Sequence, residues 1–368
     1  TPKPSSAASD VYKRQGDLME GVSFEAAELA GLWKLGKLIY IFDDNNISID
    51  GNVEKVSVTD QSAKFQSLGW HVQEIDGHDE NQIINAVKDA RDNTSKPSLI
   101  IAKSTIGKHS PNKQNTSGVH GSPLGSDEME QFLENLGWTW DAFDHSQEIY
   151  DYFNEKRDMD NGKHDEWVSL LEEKIKTNDD FANLWNEFNY KKIEFSHSQE
   201  YDRKATRVTG SEVLKSIGES NRFILGGSAD LAASTKQIIS NSIYSHQNRS
   251  GQSIEFGIRE HAMAAVVNGI TLHSNLISYG STFLVFSDYM RPSIRLASLM
   301  NLNSVYIFTH DSIYLGEDGP THQPVEHLMS LRLIPGVDVI RPANSIEVQY
   351  AYCLLYTSPS PRDATLSR

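Results

Sequence analysis

Cysteine is nearly absent. The 368 residues hold one, Cys353, so no disulfide forms within the chain and a disulfide-stapled secreted scaffold is excluded. A reducing, cytoplasmic setting follows as the expectation. Long apolar runs are also missing: nothing approaches the ~20 consecutive apolar residues of a membrane helix, and the opening TPKPSSAASD lacks the apolar core of a signal peptide. Positive charge is scarce, with 34 Lys and Arg against 50 Asp and Glu and a formal net charge of −16. Nucleic acid and anionic lipid surfaces are repelled by such a chain at long range. Small phosphorylated substrates stay compatible only where a pocket gathers its own Arg and His. What is present, 38% hydrophobic and 23% charged residues, is the composition of a soluble globular protein, and the length suggests two domains.

Residues 1–15, ending VYKRQ, and residues 353–368, CLLYTSPSPRDATLSR, show no amphipathic period and are read as a non-native leader and tail. On that reading the chain is an internal fragment from about Gly16 to Tyr352. Between these ends strands and helices alternate, the sequence sign of βαβ units and parallel sheets. The first block opens with GDLMEG and a helix over Ser23–Leu35, with Phe24, Ala27, Gly31 and Leu35 on one face. A strand over Lys37–Phe42 then runs into Asp43-Asp44-Asn45-Asn46, which should halt it. A helix near Gln61–Leu68, a strand at His71–Ile75, a helix bearing Ile83, Ile84, Val87 and Ala90, and a strand at Ser98–Ala102 complete the block. Gly107–Gly125 is a polar loop of functional length. Charged, aromatic-rich helices follow over Asp127–Lys191, where Trp138, Trp140, Trp167 and Trp185 offer anchors for a neighbouring domain. The polar stretch 192–204 is the expected linker. A second α/β block, 205–352, has predicted helices at Thr209–Ser220, Arg259–Leu272, Phe286–Met300 and Pro324–Leu333. Its predicted strands are Phe223–Leu225, Leu276–Tyr279, Val305–Thr309 and Val337–Ile340.

Chemistry concentrates in a few words of the sequence. HDSIYLGEDGPTHQP, His310 to Pro324, leaves the carboxyl end of an apolar strand, where open α/β sheets bind ligands. A capped turn of solvated charges is the plainer account of His310, Asp318 and His322 taken singly. GDLMEG followed by DDNNISIDG pairs a loop carboxylate with an Asn and a nearby backbone carbonyl, an oxygen set suited to Mg²⁺ or Ca²⁺. A strand-end turn, or a ribose acceptor at Asp43, would use the same residues. IEFGIREHAM puts Glu260 at the head of a helix, where the dipole favours a carboxylate; a solvated cap is the alternative. Phe283, Phe286 and Tyr289 in STFLVFSDYM have helix-like spacing, a pattern that is ordinarily core. Arg207 suits bidentate oxyanion recognition. His120, His310 and His322 lie too far apart for compact zinc spacing.

Taken in order, LMEG, ISIDG, SPNK, GGSADLA, GIREHAM and GEDGPTHQP resemble the transketolase family over about Gly16–Tyr352. The resemblance implies two successive thiamin diphosphate-binding-type α/β domains with parallel sheets. The first would be a partial diphosphate-binding domain, 16–191, and the second a pyrimidine-binding domain, 205–352. It implies thiamin diphosphate with Mg²⁺ or Ca²⁺ as cofactors, Asn45 ligating the metal through its side chain and Ile47 through its carbonyl, and Gly16 against the diphosphate. Glu260 would face the pyrimidine N1′ nitrogen, Phe286 would stack on that ring with Phe283 and Tyr289 walling it, and Asp230 would stand near the cofactor. His120 would lie over the thiazolium and the substrate. His310 and Asp318 would touch donor hydroxyls, and Arg207, Ser234 and His322 would meet substrate phosphates. Glu260, His120 and His310 are the catalytic set so implied. The implied reaction is reversible transfer of a two-carbon ketol unit from a ketose phosphate to an aldose phosphate, as in the pentose phosphate pathway, by a homodimer whose sites lie between subunits. No nucleic-acid or membrane partner is implied. One departure stands out: the family's metal-binding Asp is replaced here by Gln15, and the Gly before it by Arg14. The chain as written is expected to be an inactive fragment of such an enzyme, and a dihydroxyacetone synthase-like relative or a nonenzymatic truncated module are the alternative readings.

Overall fold

The computed structural model describes residues 9–141, 143–190 and 202–357. The first domain runs β1 (Ser9–Arg14), α1 (Gln15–Met19), α2 (Gly21–Leu32), β2 (Leu38–Asp44), a two-strand hairpin of β3 (Ile47–Ser48) and β4 (Gly51–Asn52), α3 (Gln61–Ser67), β5 (His71–Asp76), α4 (Glu80–Asp92) and β6 (Ser98–Lys103). Three further helices close it: α5 (Ser126–Leu136), α6 (Gln147–Thr177) and α7 (Asp179–Tyr190). The second domain is α8 (Thr206–Ser220), β7 (Ile224–Ser228), α9 (Ala232–Thr235), β8 (Ser253–Glu255), α10 (Glu260–His273), β9 (Ile277–Phe283), α11 (Ser287–Leu299), β10 (Val305–Thr309), α12 (His327–Arg332) and α13 (Ser345–Thr357).

Both larger sheets are entirely parallel, in the orders β1-β2-β6-β5 and β10-β9-β7-β8. The α/β architecture expected from the alternation is therefore the architecture observed. β6 shows why the central strands form: SLIIAK is apolar on both faces and buried over Ser98–Ala102, as a strand covered by helices on both sides must be. Asp60 and Asp79 open α3 and α4 by accepting backbone N–H groups of the first turn. In the second sheet Gly226 and Gly227 are required by close approach: a Cβ on Gly227 would stand 1.8 Å from the Ile254 carbonyl oxygen, and one on Gly226 2.2 Å from that of Tyr279.

The observed elements differ from the expected ones in several places. Ser9–Arg14, inside the segment set apart as a leader, pairs residue by residue with Leu38–Asp43, because an edge strand needs backbone partners rather than an amphipathic period. α13 runs on to Thr357, past the Cys353 boundary of the expected tail, while residues 358–368 and 1–8 lie outside the described residues. The expected linker 192–204 is described only from Asp202, whose N–H is held by the Ser345 hydroxyl at 2.9 Å. Val337–Ile340 is not a strand; Val337 and Val339 instead pack against the core cluster around Met263 and Leu331. β2 does not stop before Asp43 but carries both aspartates to Asp44. Phe24 is 44% exposed, so the buried face of α2 is Ala27, Leu29 and Ala30.

Three of the four tryptophans expected to anchor the domains face solvent, and Trp185 is half-buried against Phe188. Trp138, Trp140 and Trp167 are exposed, and α7 meets the second domain through Phe188, edge-on to Phe223 with centroids 5.2 Å apart. The main anchor is α2. Leu29 and the following Trp33 belong to the second domain's principal core cluster, with Trp33 edge-on to Tyr244 and Phe256. Arg249 donates to the Trp33 carbonyl at 2.6 Å, and Arg259 pairs with Glu28 at 2.6 Å.

Candidate active site

A cavity of about 580 Å³ opens where α2 meets the strand ends of the second sheet. Successive connections leave the sheet in opposite directions around β7 and β9, and a crevice at such a switch point is where open α/β sheets place ligands. Asp230 comes from the turn after β7, Glu260 and His261 from the head of α10, and Phe286 and Tyr289 from the turn after β9. Gly21, Val22 and Glu25 of α2 supply the opposite wall. Asp230 sits at φ +60°, a left-handed conformation that aspartate tolerates better than most side chains.

Glu260 is 8% exposed. It occupies the first position of α10, so the chain direction aims it toward the cavity mouth while the helix dipole favours its charge. Burial wins: desolvation pushes its carboxyl above the ordinary glutamate range, its own backbone N–H opposes this, and the nearby Glu25 charge adds to the rise. Glu25 is fixed by accepting the Ala262 N–H at 2.9 Å.

The aromatic run is a ladder. Phe283 and Phe286 stack with centroids 5.9 Å apart at 8°, and Phe286 and Tyr289 follow at 5.9 Å and 27°. Phe283 is buried, whereas Phe286 lines the cavity and Tyr289 is 60% exposed. Phe283 thus backs the wall and does not face the cavity. His322 presents its ring edge-on to Phe286 at 5.3 Å, and His310 lies 3.8 Å from Phe283.

His310 leaves β10 at φ +54°. Its Nε2 is 3.0 Å from Arg207 Nη1 and its Nδ1 is 2.8 Å from the Thr309 hydroxyl. A guanidinium only donates, so Nε2 accepts and the proton sits on Nδ1. Burial and then the Arg207 charge hold this imidazole below the usual histidine range, against the opposing charges of Asp318 and Asp311. Arg207 and His310 line a second cavity of about 360 Å³ together with Arg341, whose Nε donates to Asp311 at 2.6 Å. Ser234, in α9, lines neither of these cavities.

The first domain gathers a separate set. α1 packs against β2 and β3, bringing Gly16 to the sheet end that carries Asn45 and Ile47. Asn45 is buried; its Oδ1 accepts the Ile47 N–H at 3.0 Å and its Nδ2 donates to Asp43 at 2.9 Å. Asp43 also accepts the Ser104 hydroxyl. His120, half-buried, closes a short turn over Ser117–Val119 in a loop tied down by Glu128, which accepts from the Ser110 hydroxyl and from the Asn112 N–H (2.9 Å) and Nδ2 (3.0 Å). These hydrogen bonds draw the Glu128 carboxyl down to about 2. Asn45, Ile47 and His120 are not among the residues lining the Glu260 cavity. The residues missed from sequence are Val22, Glu25 and His261. The one signal for Glu25 was a charge on a helix whose neighbours Ala27, Leu29 and Ala30 are core.

Residues 6–191 match the family model described as the thiamine diphosphate binding domain of transketolase, and residues 202–364 match the transketolase pyrimidine binding domain. The chain is 41% identical to the transketolase of Staphylococcus aureus (strain MRSA252) over 377 residues, covering 97% of this chain and 56% of the relative. It is also 41% identical to the transketolase of Bacillus subtilis (strain 168), covering 93% and 53%. Among solved structures, transketolase from Leishmania mexicana superposes with a TM-score of 0.91 at 32% identity, covering 96% of this chain and 54% of that one. A Pichia stipitis transketolase in complex with sedoheptulose 7-phosphate gives 0.89 at 36%, covering 95% and 54%. The chain spans about half the length of the curated relatives it matches.

Proposed function

The chain belongs to the transketolase family, and on that premise we propose that the cavity at Glu260 receives the aminopyrimidine ring of thiamin diphosphate. The observation that carries this is a buried carboxylate of raised proton affinity opening onto a cavity walled by a stacked aromatic ladder. A planar, basic heterocycle fits both features. Phe286 offers its face to the ring, and Glu260 shares a proton with a ring nitrogen, where a group that is easily protonated works best. When bound, the cofactor supplies the electron sink for cleaving the bond beside a ketose carbonyl.

Arg207 is placed to hold a phosphate by two parallel hydrogen bonds, and its bond to His310 fixes the ring that would meet the donor's hydroxyls. His322 lines the Glu260 cavity and Asp318 lies near enough for its charge to act on His310, so both are assigned to the substrate side, with Ser234 assigned to the phosphate. The oxygen donors at Asn45 and Ile47 fit Mg²⁺ or Ca²⁺ in kind but are neutral, and Gln15 adds no charge. For the whole protein the proposal is reversible two-carbon ketol transfer between sugar phosphates in the cytoplasm. A homodimer is proposed because Gly16, Asn45, Ile47 and His120 stand apart from the Glu260 cavity of their own chain, so that a second copy would bring a diphosphate-binding set to each pyrimidine site.

Calorimetric titration of thiamin diphosphate with Mg²⁺ into the chain and into Glu260→Gln and Phe286→Ala tests this. Loss of one charge-assisted hydrogen bond, about 1.5–3 kcal/mol, weakens affinity by roughly tenfold to over a hundredfold. Equal affinities for all three proteins would overturn the assignment.

A further inference from the structure

A buried amide lies beneath the first turn of α8. Gln237 follows Lys236, which turns the chain at φ +60°, and is itself 1% exposed. Its Nε2 donates to the Arg207 carbonyl at 3.1 Å and to the Thr235 carbonyl at 3.0 Å. Its Oε1 accepts the Tyr352 hydroxyl at 2.7 Å, and its backbone carbonyl accepts the Tyr279 hydroxyl at 3.3 Å. Both donors of the amide and its acceptor are therefore engaged, by α8, the end of α9 and α13. Gly210 leaves the room: a Cβ there would stand 3.5 Å from Nε2 and 3.2 Å from the Tyr352 hydroxyl.

We propose that Gln237 is a positioning residue that sets Arg207 against His310. α8 starts at Thr206, and its N-cap residue Ala205 makes no side-chain capping bond, so the first turn lacks the usual restraint on fraying. Arg207 is the second residue of that turn. The Gln237 amide ties its carbonyl to the buried body of the domain, where Tyr279 of β9 is fully enclosed. Just upstream, Asp202 is held by Ser345, the first residue of the helix that also supplies Tyr352.

From this anchored carbonyl the Arg207 side chain reaches His310, Nη1 to Nε2 at 3.0 Å. An arginine has much rotamer freedom to lose, and one fixed at its backbone and at its tip has less left to lose when an oxyanion arrives. A fully satisfied buried polar network supplies the rigid base that this requires. What the pair then holds rests on the reading of Arg207 as a phosphate-binding residue; its placement by Gln237 does not.

The test is NMR titration of His310 in the chain, in Gln237→Met, Tyr352→Phe and Arg207→Ala, and in each of the first two combined with Arg207→Ala, with no cofactor or sugar phosphate present. Besides Arg207, the charges of Asp318, Asp311 and His322 act on this ring, and every variant keeps them. Gln237→Met should move the His310 value up toward the ordinary histidine range when Arg207 is present and leave it unmoved when Arg207 is replaced. Tyr352→Phe removes one hydroxyl and keeps the ring; it should act in the same way to a smaller extent, and it decides the matter where Gln237→Met does not fold. No shift with Arg207 present, or an equal shift with and without it, overturns the role. Inorganic phosphate titrated into the same proteins should bind about two- to tenfold more weakly to Gln237→Met, the worth of one hydrogen bond. A His310 shift that depends on Arg207 without any loss of phosphate affinity upholds the positioning role and counts instead against Arg207 as the phosphate residue.

Discussion

Glu25 Oε2 accepts the backbone N–H of Ala262 at 2.9 Å, so a carboxylate from the first domain caps the helix that carries Glu260. One atom thereby joins the domains, satisfies a first-turn donor of α10 and raises the proton affinity of its neighbour. Glu25→Ala should lower stability by about 0.5–2 kcal/mol, the usual cost of a lost cap. Glu25→Gln keeps an accepting oxygen while removing the charge. It should stay closer to the parent in thermal unfolding yet bring the Glu260 carboxyl back toward its ordinary range, read by carboxyl-selective NMR titration.

Glu260 itself opposes folding when ionised. Its folded value lies above the unfolded one, so the native state holds the proton more tightly, and stability falls as pH rises from the unfolded value of 4.5 through the raised folded value. Glu260→Gln should therefore unfold at a higher temperature than the parent at pH 7.5, with the gap closing near pH 4, while cofactor affinity drops. A lower melting temperature at pH 7.5 would count against the burial cost described for this carboxylate.

Glu128 behaves with the opposite sign. Its folded value is about 2 against 4.5, so the loop's attachment is complete above 4.5 and is lost as pH falls toward 2. Hydrogen exchange at the Asn112 amide, corrected for intrinsic rates, should lose protection across that window. Protection that survives unchanged at pH 2 would remove Glu128 as the clamp of the His120 loop.

His310 should titrate below a free histidine, since burial and then Arg207 disfavour its cation. Stability contributed by the neutral ring is present above the unfolded value of 6.5 and is lost as pH falls through the lower folded value. Arg207→Ala should raise the His310 value only part of the way, because burial remains. An NMR titration of His310 that does not move in the variant would deny the contact.

Trp33→Ala should cost about 3–5 kcal/mol, the range for deleting a buried large aromatic ring. Because Trp33 belongs to the core cluster of the other domain, the loss should uncouple the two domains' unfolding, seen as a second calorimetric transition. Gly227→Ala tests the second sheet: its Cβ would meet the Ile254 carbonyl oxygen at 1.8 Å, so β7 and β8 must part and soluble yield should fall.

The alternation of β-branched runs with amphipathic stretches determined the α/β class and most element positions, because period 2 and period 3.6 are written locally. Val305–Thr309 was placed to the residue. The ordered words around Glu260, Phe286, His310 and Gly16 likewise determined the family from the sequence by itself. Tertiary structure decided what depends on distant partners. Ser9–Arg14 is a strand only because Leu38–Asp43 offers a free edge, and Val337–Ile340, apolar enough for a strand, packs as coil. Phe24 and Ile84 share their helices' apolar spacing yet face solvent, while Trp33 is buried by a domain that begins far along the chain. The orphaned nitrogen of His327 and the cap from Glu25 also had no local signature. Both arise from groups brought together by sheets folding and docking, and burial, which sets their proton affinity, is a property of that assembly.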